Sequence, residues 1–267
     1  MRIVAWNICA GGGYRGGALA AQLSRFRPDV AALCEFRGTP PSAALALALA
    51  ETGLCHQLTT ASAATPGLNA LLIASRWPLD LVRLRRAPSE PGRWLLARVD
   101  APHAFTLGAM HVPNRVSGRK WPFLDAVLDV AERWRDGPAL FVGDTNSGRP
   151  GIDEESPAFN AREGAWIDGL ERAGWRDAFR HLRGAARAYT WYSPNGRNGF
   201  RIDQAFVNPQ LLPRLARARH VWGRDRCSDH AALLIDLVAD PRPGPVDASV
   251  DRARRATHVR AAGPAAT

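Results

Sequence analysis

The chain has 267 residues, a formal net charge of +10 and 46% hydrophobic residues. That length allows one large α/β domain or two small ones, and that composition is typical of a globular protein. The longest apolar run, 43–50, is far shorter than the roughly 20 residues that cross a bilayer, and the first residues lack the pattern of a secretory signal. The basic excess favours a polyanionic partner: nucleic acid, an anionic membrane or a phosphorylated small molecule.

Short apolar segments alternate with amphipathic ones, which predicts an α/β fold with large sheets. Predicted strands, in chain order, are Ile3–Asn7, Val30–Cys34, Leu68–Ala74, Trp94–Val99, Phe105–Met110, Ala139–Val142, Ile202–Val207 and Ala231–Val238, the last two being the final strands. Predicted helices are Gly16–Phe26, Pro41–Thr52 and Gly118–Trp134, with loop and a short helix between Arg149 and Gly174. The folded domain is therefore expected to span 1–239.

The segment 240–267 contains Pro241, Pro243 and Pro245 and has no apolar periodicity, so a disordered C-terminal tail is predicted. The four cysteines, at positions 9, 34, 55 and 227, include no C-x-x-C pair, so a zinc site is not predicted. Free thiols fit a reducing compartment, and we expect a cytoplasmic monomer without a transmembrane segment.

Polar residues follow or precede the predicted strands at their ends. They are Asn7, Glu35, His111, Asp144, Asn146, Asp203, Asp229 and His230. Taken singly, such residues are more often helix caps or turn residues. Taken together and in order, they predict a site at one end of the sheets, where loops carry side chains on a rigid frame.

This ordered set resembles the endonuclease/exonuclease/phosphatase superfamily. The matching segments are Trp6-Asn7-Ile8, Leu33-Cys34-Glu35, His111-Val112-Pro113-Asn114, Gly143-Asp144-Thr145-Asn146, Thr190-Trp191, Arg201-Ile202-Asp203 and Ser228-Asp229-His230. The resemblance implies a four-layer α/β sandwich, in which two packed mixed β-sheets are flanked by helices. It also implies a phosphodiester hydrolase that uses Mg²⁺, with Mn²⁺ as a substitute, and a catalytic domain over residues 1–239.

The resemblance assigns a role to each of these residues. The implied metal ligands are Glu35, as the principal one, Asn7 and Asp229. The implied catalytic residues are Asp144 as the base for water, Asn146 as a holder of water or phosphate, His230 as a donor to the phosphate, Asp203 as its orienting partner and His111 as a second cationic donor. These are the residue types that phosphodiester hydrolysis needs, because charge develops on the phosphoryl oxygens while water is activated.

Within the superfamily the chain is most similar to the exonuclease III/AP endonuclease branch. The implied substrate-binding residues are Asn114, Arg115, Asn198, Phe200 and Arg201. Two positions depart from that branch: Cys9 stands where it has Asp, which puts a second metal site in doubt because a thiol is a poor Mg²⁺ ligand. His111 stands where it has Tyr, a feature similar to pancreatic deoxyribonuclease and the phosphatases.

Three functions remain open on the sequence. The first is DNA hydrolysis, as an endonuclease, an exonuclease or an enzyme of abasic-site repair. The second is hydrolysis of a lipid or small-molecule phosphoester, and the third is a non-catalytic binding module. A basic groove for DNA is expected from residues that flank the motifs: Arg15, Arg115, Arg119, Lys120, Arg197, Arg201, Arg224 and Arg226.

Overall fold

The computed structural model describes residues 1–239, and the predicted tail, 240–267, lies outside the described residues. The strands are β1 (Arg2–Asn7), β2 (Val30–Phe36), β3 (His56–Thr59), β4 (Ala70–Ser75), β5 (Leu79–Leu81), β6 (Trp94–Val99), β7 (Phe105–His111), β8 (Ala139–Asp144), β9 (Arg176–Asp177), β10 (Trp191–Tyr192), β11 (Gly199–Phe200), β12 (Asp203–Val207), β13 (Leu215–Val221) and β14 (Ala232–Leu237). The helices are α1 (Gly16–Phe26), α2 (Pro40–Glu51), α3 (Lys120–Arg133), α4 (Ala161–Arg172) and α5 (Ala178–Arg183).

Two six-stranded mixed sheets form the centre of the molecule. The strand order is β13-β14-β1-β2-β4-β3 in the first sheet and β5-β6-β7-β8-β12-β9 in the second, and β10 and β11 form a separate ribbon. Each large sheet contains one parallel pair, β1 with β2 and β7 with β8. The other neighbouring strands in these sheets are antiparallel.

Alternation along the strands separates the core into three apolar layers. Ile3 and Ala5 of β1 face a cluster shared with the second sheet, whereas Val4 and Trp6 face a cluster shared with α1 and α2. A third cluster joins the second sheet to α3 and α4. The order is therefore helices, sheet, sheet, helices, which confirms the predicted four-layer α/β sandwich.

Two sequence predictions were wrong in this frame. The helix between Arg149 and Gly174 is not short: α4 has 12 residues and begins with a capping box, in which the Asn160 side chain accepts from the Glu163 N–H and Glu163 accepts from the Asn160 N–H. The second error is a missed strand: along the chain, the seven-residue edge strand β13 comes between the two strands predicted to be last. Its sequence, LARARHV, places arginines on the exposed face, so it contains no apolar run long enough to predict a strand.

Strand pairing gathers the polar residues at one edge of the sandwich. His111 is opposite Asp144 in the parallel β7–β8 pair, and Asp203 is opposite Asp144 in the antiparallel β8–β12 pair. Asn7 ends β1, beside Cys34 and Glu35 of β2. Within residues 1–239, no helix is both long and apolar enough to span a membrane.

Candidate active site

Glu35 owes its position to an irregularity in β2. The register of β2 against β4 shifts between Cys34 and Phe36, and Glu35 has a φ of 59°. A bulge of this kind re-aims a side chain, and a left-handed non-glycine residue is strained unless its surroundings hold it. The carboxylate is held on both oxygens: Oε2 accepts from the Ala10 N–H at 2.6 Å and Oε1 from Asn7 Nδ2 at 3.3 Å.

Asp144 is the last residue of β8 and follows a strand position that only glycine can occupy. Gly143 has a φ of 140°, and a Cβ there would lie 1.9 Å from the Met110 carbonyl oxygen. The Asp144 side chain is buried, and it accepts from Asn7 Nδ2 at 3.0 Å and from the Asn146 N–H at 2.9 Å. Burial raises the pKa of Asp144 above its ordinary value, although His230 and His111 oppose that effect.

His230 and Asp203 form a buried pair beside Asp144. His230 Nδ1 lies 2.9 Å from Asp203 Oδ2, and its Nε2 lies 3.9 Å from Asp144 Oδ2. Burial alone would lower the pKa of His230, but the carboxylates of Asp203 and Asp144 outweigh burial and raise it to about 10. The imidazole is therefore protonated at neutral pH, with its Nε2 on the side of the Asp144 carboxylate.

Backbone contacts fix the His230 segment. The Ser228 hydroxyl donates to the Asn7 carbonyl at 2.6 Å and accepts from the His230 N–H at 3.1 Å. Trp6 Nε1 donates to the His230 carbonyl at 2.9 Å. The Ser of the Ser-Asp-His motif thus ties this loop to the end of β1, rather than acting on a substrate.

His111 faces the same two carboxylates from β7. Its Nε2 is 3.7 Å from Asp144 Oδ2 and 3.9 Å from Glu35 Oε1. Burial lowers the pKa of His111 to about 4, against the attraction of Asp144. This pKa favours a neutral ring at pH 7 and argues against the expected role of His111 as a second cationic donor, because desolvation outweighs the nearby charge.

These side chains open onto a cleft of about 320 Å³. Its lining residues are Glu35, Asn69, Glu90, Arg93, His111, Pro113, Asn114, Ser117, Arg119, Asp144, Asn146, Trp191, Ile202, Asp229 and His230. Asn7 and Asp203 stand behind the cleft, where they hold Glu35, Asp144 and His230. The structure therefore brings all eight predicted strand-end residues together, in the lining of this cleft or directly behind it.

The oxygen donors fit a hard divalent cation. The carboxylates of Glu35 and Asp144 share Asn7 and His111 as neighbours, and Asp229 lines the same cleft. Within 1–239, no three His, Cys, Asp or Glu side chains converge as a complete metal cage. Mg²⁺ is usually bound by one or two carboxylates and keeps several waters, so Glu35 and Asp229 in this cleft could hold it.

Asn7 donates from Nδ2 to both carboxylates, and its Oδ1 accepts from the Cys9 N–H at 3.0 Å. A half-turn of the amide would present Oδ1 to a cation beside Glu35, with loss of the contact between Oδ1 and the Cys9 N–H. The Cys9 thiol is half-buried, and burial followed by the charge of Asp229 raises its pKa. The thiol therefore stays protonated and offers no ligand for a second Mg²⁺.

A smaller cavity of about 210 Å³ adjoins the cleft. Asn114, Asn146, Trp191 and Ile202 line both spaces. The smaller cavity is otherwise lined by Arg115, Lys120, Ala158, Phe159, Glu163 and Phe200. Asn114, Arg115 and Phe200 thus lie where a substrate could reach them. The aromatic residues of this cavity are Phe159, Trp191 and Phe200.

Two predicted substrate contacts do not reach either cavity. Arg201 is fully buried, where it donates to Asp153 and Asp177, so its assignment as a substrate-binding residue was wrong. The two carboxylates draw the guanidinium into the core. Asn198 lines neither cavity, and its Oδ1 accepts from the Ser156 hydroxyl.

Few of the residues expected in a basic groove line the cleft itself. Lys120 and Arg201 are buried, and neither is part of its lining. Arg119 lines the cleft, and Arg15 donates to the carbonyls of Cys9 and Cys227 beside it. The other flanking arginines line no part of the cleft, although Arg115 borders the smaller cavity.

Sequence reasoning missed several cleft residues. Asn69 and Glu90 come from loops and Arg93 from a three-residue 3-10 helix before β6, so no periodicity or motif singled them out. Thr190 was matched as a motif but given no role: its hydroxyl accepts from the N–H groups of Ile202 and Asp203 and so sets the start of β12. Lys120 is the chain's only lysine, and no other feature of the sequence indicates that it is buried.

Known proteins are similar to this chain in sequence or in fold. An exodeoxyribonuclease of Streptococcus pneumoniae is 25% identical over 154 residues, which are 50% of this chain and 56% of that protein, so the chain spans about half the length of the curated relatives it matches. A 3′-5′ exonuclease (NExo) from Neisseria meningitidis has a similar structure, with a TM-score of 0.72 and 22% identity over 89% of this chain and 99% of its own.

An AP endonuclease from Archaeoglobus fulgidus has a TM-score of 0.75 and 19% identity, again over 89% of this chain and 99% of its own. At these identities the structural likeness shows the fold. The profile of the Endonuclease/Exonuclease/phosphatase family matches residues 4–230, which include every strand-end residue of the cleft. Because that match covers well over half of the chain, the protein belongs to the Endonuclease/Exonuclease/phosphatase family.

Proposed function

We propose that this protein is a Mg²⁺-dependent phosphodiesterase that hydrolyses DNA. One observation carries the proposal: Asp144 and the His230–Asp203 pair face each other at the floor of one cleft, with Glu35 on its wall. A carboxylate with raised pKa and a protonated imidazole are the base and the donor that attack of water on a phosphodiester requires.

The residues divide the reaction between them. Asp144 orients a water and takes its proton as the water oxygen bonds to phosphorus. His230 donates from Nε2 to a phosphoryl oxygen, where charge develops as the bond to the leaving oxygen breaks. Asn146, whose Nδ2 donates to the Val112 carbonyl, and neutral His111 complete the polar floor of the cleft.

Glu35 would hold Mg²⁺ through Oε1 or Oε2, with Asn7 and Asp229 beside it. The bound ion would supply positive charge to the phosphate and the leaving oxygen. Mn²⁺ has the same preference for oxygen ligands, so we expect it to substitute.

DNA is favoured as the substrate by three separate points. The relatives named above are an exodeoxyribonuclease, a 3′-5′ exonuclease and an AP endonuclease. The net charge is +10, and Arg93 and Arg119 line the cleft. The smaller aromatic cavity beside the cleft could receive a sugar or base next to the scissile phosphate, which supports abasic or unpaired sites within the substrate class.

The proposed location of the protein is the cytoplasm. All four thiols are free, which fits a reducing cytoplasm.

Hydrolysis is expected to require a divalent cation. Labelled abasic, nicked, blunt and single-stranded DNA should be cleaved with Mg²⁺ or Mn²⁺ and left intact in EDTA, because Glu35 and its neighbours offer the oxygen donors that a hard divalent cation prefers. RNA, sphingomyelin and inositol phosphates complete the panel. Undiminished DNA cleavage in chelator would exclude the metal, and cleavage of a lipid or inositol phosphate alone would replace DNA as the substrate.

Binding of DNA should weaken steeply as salt rises. The test uses the Asp144→Asn protein with Ca²⁺ and duplexes of about ten base pairs or more, because each phosphate neutralised by arginine releases counterions and contributes about −0.9 to the log–log slope. Substituting Arg93 and Arg119 by Ala should flatten this slope, since both line the cleft. Arg133→Ala is the matched control, as Arg133 pairs with Asp129 on α3 and lines no part of the cleft. Equal log–log slopes for the parent protein, the Arg93 and Arg119 variant and the Arg133→Ala control would mean that DNA does not bind in this cleft.

A further inference from the structure

Lys120 is a buried lysine at the start of α3. It is 1% exposed, although lysine is among the residues least often buried. Its ammonium donates to the Asn146 carbonyl at 2.5 Å and to Glu163 Oε1. The first of these contacts reaches a main-chain atom of the catalytic loop, and the side chain itself borders the smaller cavity.

The Asn146 carbonyl belongs to a turn that shapes the cleft. Asn146 has a φ of 45°, a left-handed conformation that is costly unless neighbouring contacts hold it. In that conformation its N–H donates to Asp144 Oδ1 at 2.9 Å and its Nδ2 to the Val112 carbonyl at 2.8 Å. Lys120 therefore acts on the same residue whose amide orients the Asp144 carboxylate.

The ammonium is anchored by Glu163, the capping residue of α4. Glu163 is fully buried and accepts from Lys120, from the Asn160 N–H at 2.7 Å and from Arg115 Nη2 at 2.5 Å. Burial lowers the pKa of Lys120, while its bond and attraction to Glu163 oppose that effect. A buried carboxylate between two cations is a rigid support, because each of its contacts fixes the others.

We propose that Lys120 is a positioning residue for the proposed hydrolysis: through the Asn146 carbonyl it holds the turn that aims Asp144 at the attacking water. The inference rests on the proposed function, since the aim of Asp144 matters only if Asp144 acts on water. It assigns to Glu163 the supporting part of fixing Lys120. An ammonium is suited to this task because it can donate to both oxygens at once.

The competing role is a purely structural tie between α3 and α4. Two variants separate the roles. Glu163→Gln removes the buried carboxylate charge but leaves the Lys120 contact with Asn146 possible, whereas the double variant Lys120→Met with Glu163→Gln removes both charges and the donor to Asn146. Methionine has the length of lysine without its charge, so the double variant leaves no unpaired buried ion.

The double variant should melt near the wild-type temperature but show a kcat that is lower by about 10- to 100-fold, the usual cost of losing an outer support of an active site. KM should change little, because the support acts in the transition state. Glu163→Gln should lose stability and lower kcat less than the double variant, because the glutamine oxygen can still accept from Lys120 while the contact with Asn146 remains. Arg2→Met, which breaks the Arg2–Asp236 pair at the other end of β1, should lose stability alone.

Amide hydrogen exchange at Asn146 gives a readout that needs no activity. Exchange should accelerate in the double variant, relative to global unfolding, should accelerate less in Glu163→Gln, and should remain as in wild type in Arg2→Met. A wild-type kcat or an unchanged Asn146 amide in the double variant would overturn the inference. If the wild-type protein hydrolyses no substrate, the proposed function fails, and the exchange measurement alone decides whether Lys120 positions the turn.

Discussion

Asp144→Asn is expected to lower kcat by roughly 10²- to 10⁴-fold, the contribution typical of a general base. The asparagine keeps the shape of the side chain, and its oxygen can still accept from the Asn146 N–H. The amide cannot take a proton from water, so the loss falls on the transition state and substrate binding should persist. Steady-state kinetics at saturating DNA and Mg²⁺ measure kcat, and a binding titration measures affinity.

The same substitution should leave the melting temperature close to that of wild type, because removal of a buried charge offsets the lost contact with Asn7 Nδ2. Asp144 is buried, and a buried charge costs stability that a neutral amide does not. Asp168→Asn is the matched control, because Asp168 is half-exposed and pairs with Arg149 away from the cleft. A kcat of Asp144→Asn close to that of the control would remove Asp144 from the role of base.

The convergence of the site was predictable from sequence because two regularities coincide. Strand periodicity located the ends of β1, β7 and β8, and polar residues stand at those ends. In paired strands, residues at matching ends must be neighbours, as His111 and Asp144 are. The fold class followed from the same alternation of strands and helices, before any contact was known.

What the sequence concealed depends on contacts between distant residues. Arg201 lies in the Arg-Ile-Asp motif, but its partners Asp153 and Asp177 are 48 and 24 residues away, so nothing local reveals that it is buried. Glu35 looks like the end of a strand, whereas its aim depends on a bulge and a positive φ. The sequence suggested that Lys120 is an exposed cation of the groove. In the structure Lys120 is buried and donates to Glu163, which lies 43 residues later in the chain.

Electrostatic character was hidden for a related reason. His111 and His230 both follow or precede strands and both face carboxylates. Their pKa values diverge, to about 4 and about 10, because His230 hydrogen-bonds to Asp203 while the Nδ1 of His111 has no partner among the described residues. Burial is common to both rings, so the hydrogen-bonded carboxylate decides the outcome.

That difference leads to the second large effect. His230→Ala should lower kcat by roughly 10²- to 10³-fold, the usual loss when one donor to a developing oxyanion is removed. Asp203→Ala should cost less, because it removes the partner of His230 Nδ1 and leaves the imidazole in place. His181→Ala, an exposed histidine on α5, is the matched control and should retain full activity.

The double variant His230→Ala with Asp203→Ala distinguishes a joint role from two separate ones. Asp203 lies behind the cleft and its carboxylate contacts His230, so without the imidazole it has nothing to orient. We therefore expect the double variant to have the kcat of His230→Ala alone, as residues that act as a unit are not additive. Multiplied losses in the double variant would mean that Asp203 serves the reaction independently, for example by raising the basicity of Asp144, from which it lies one strand away.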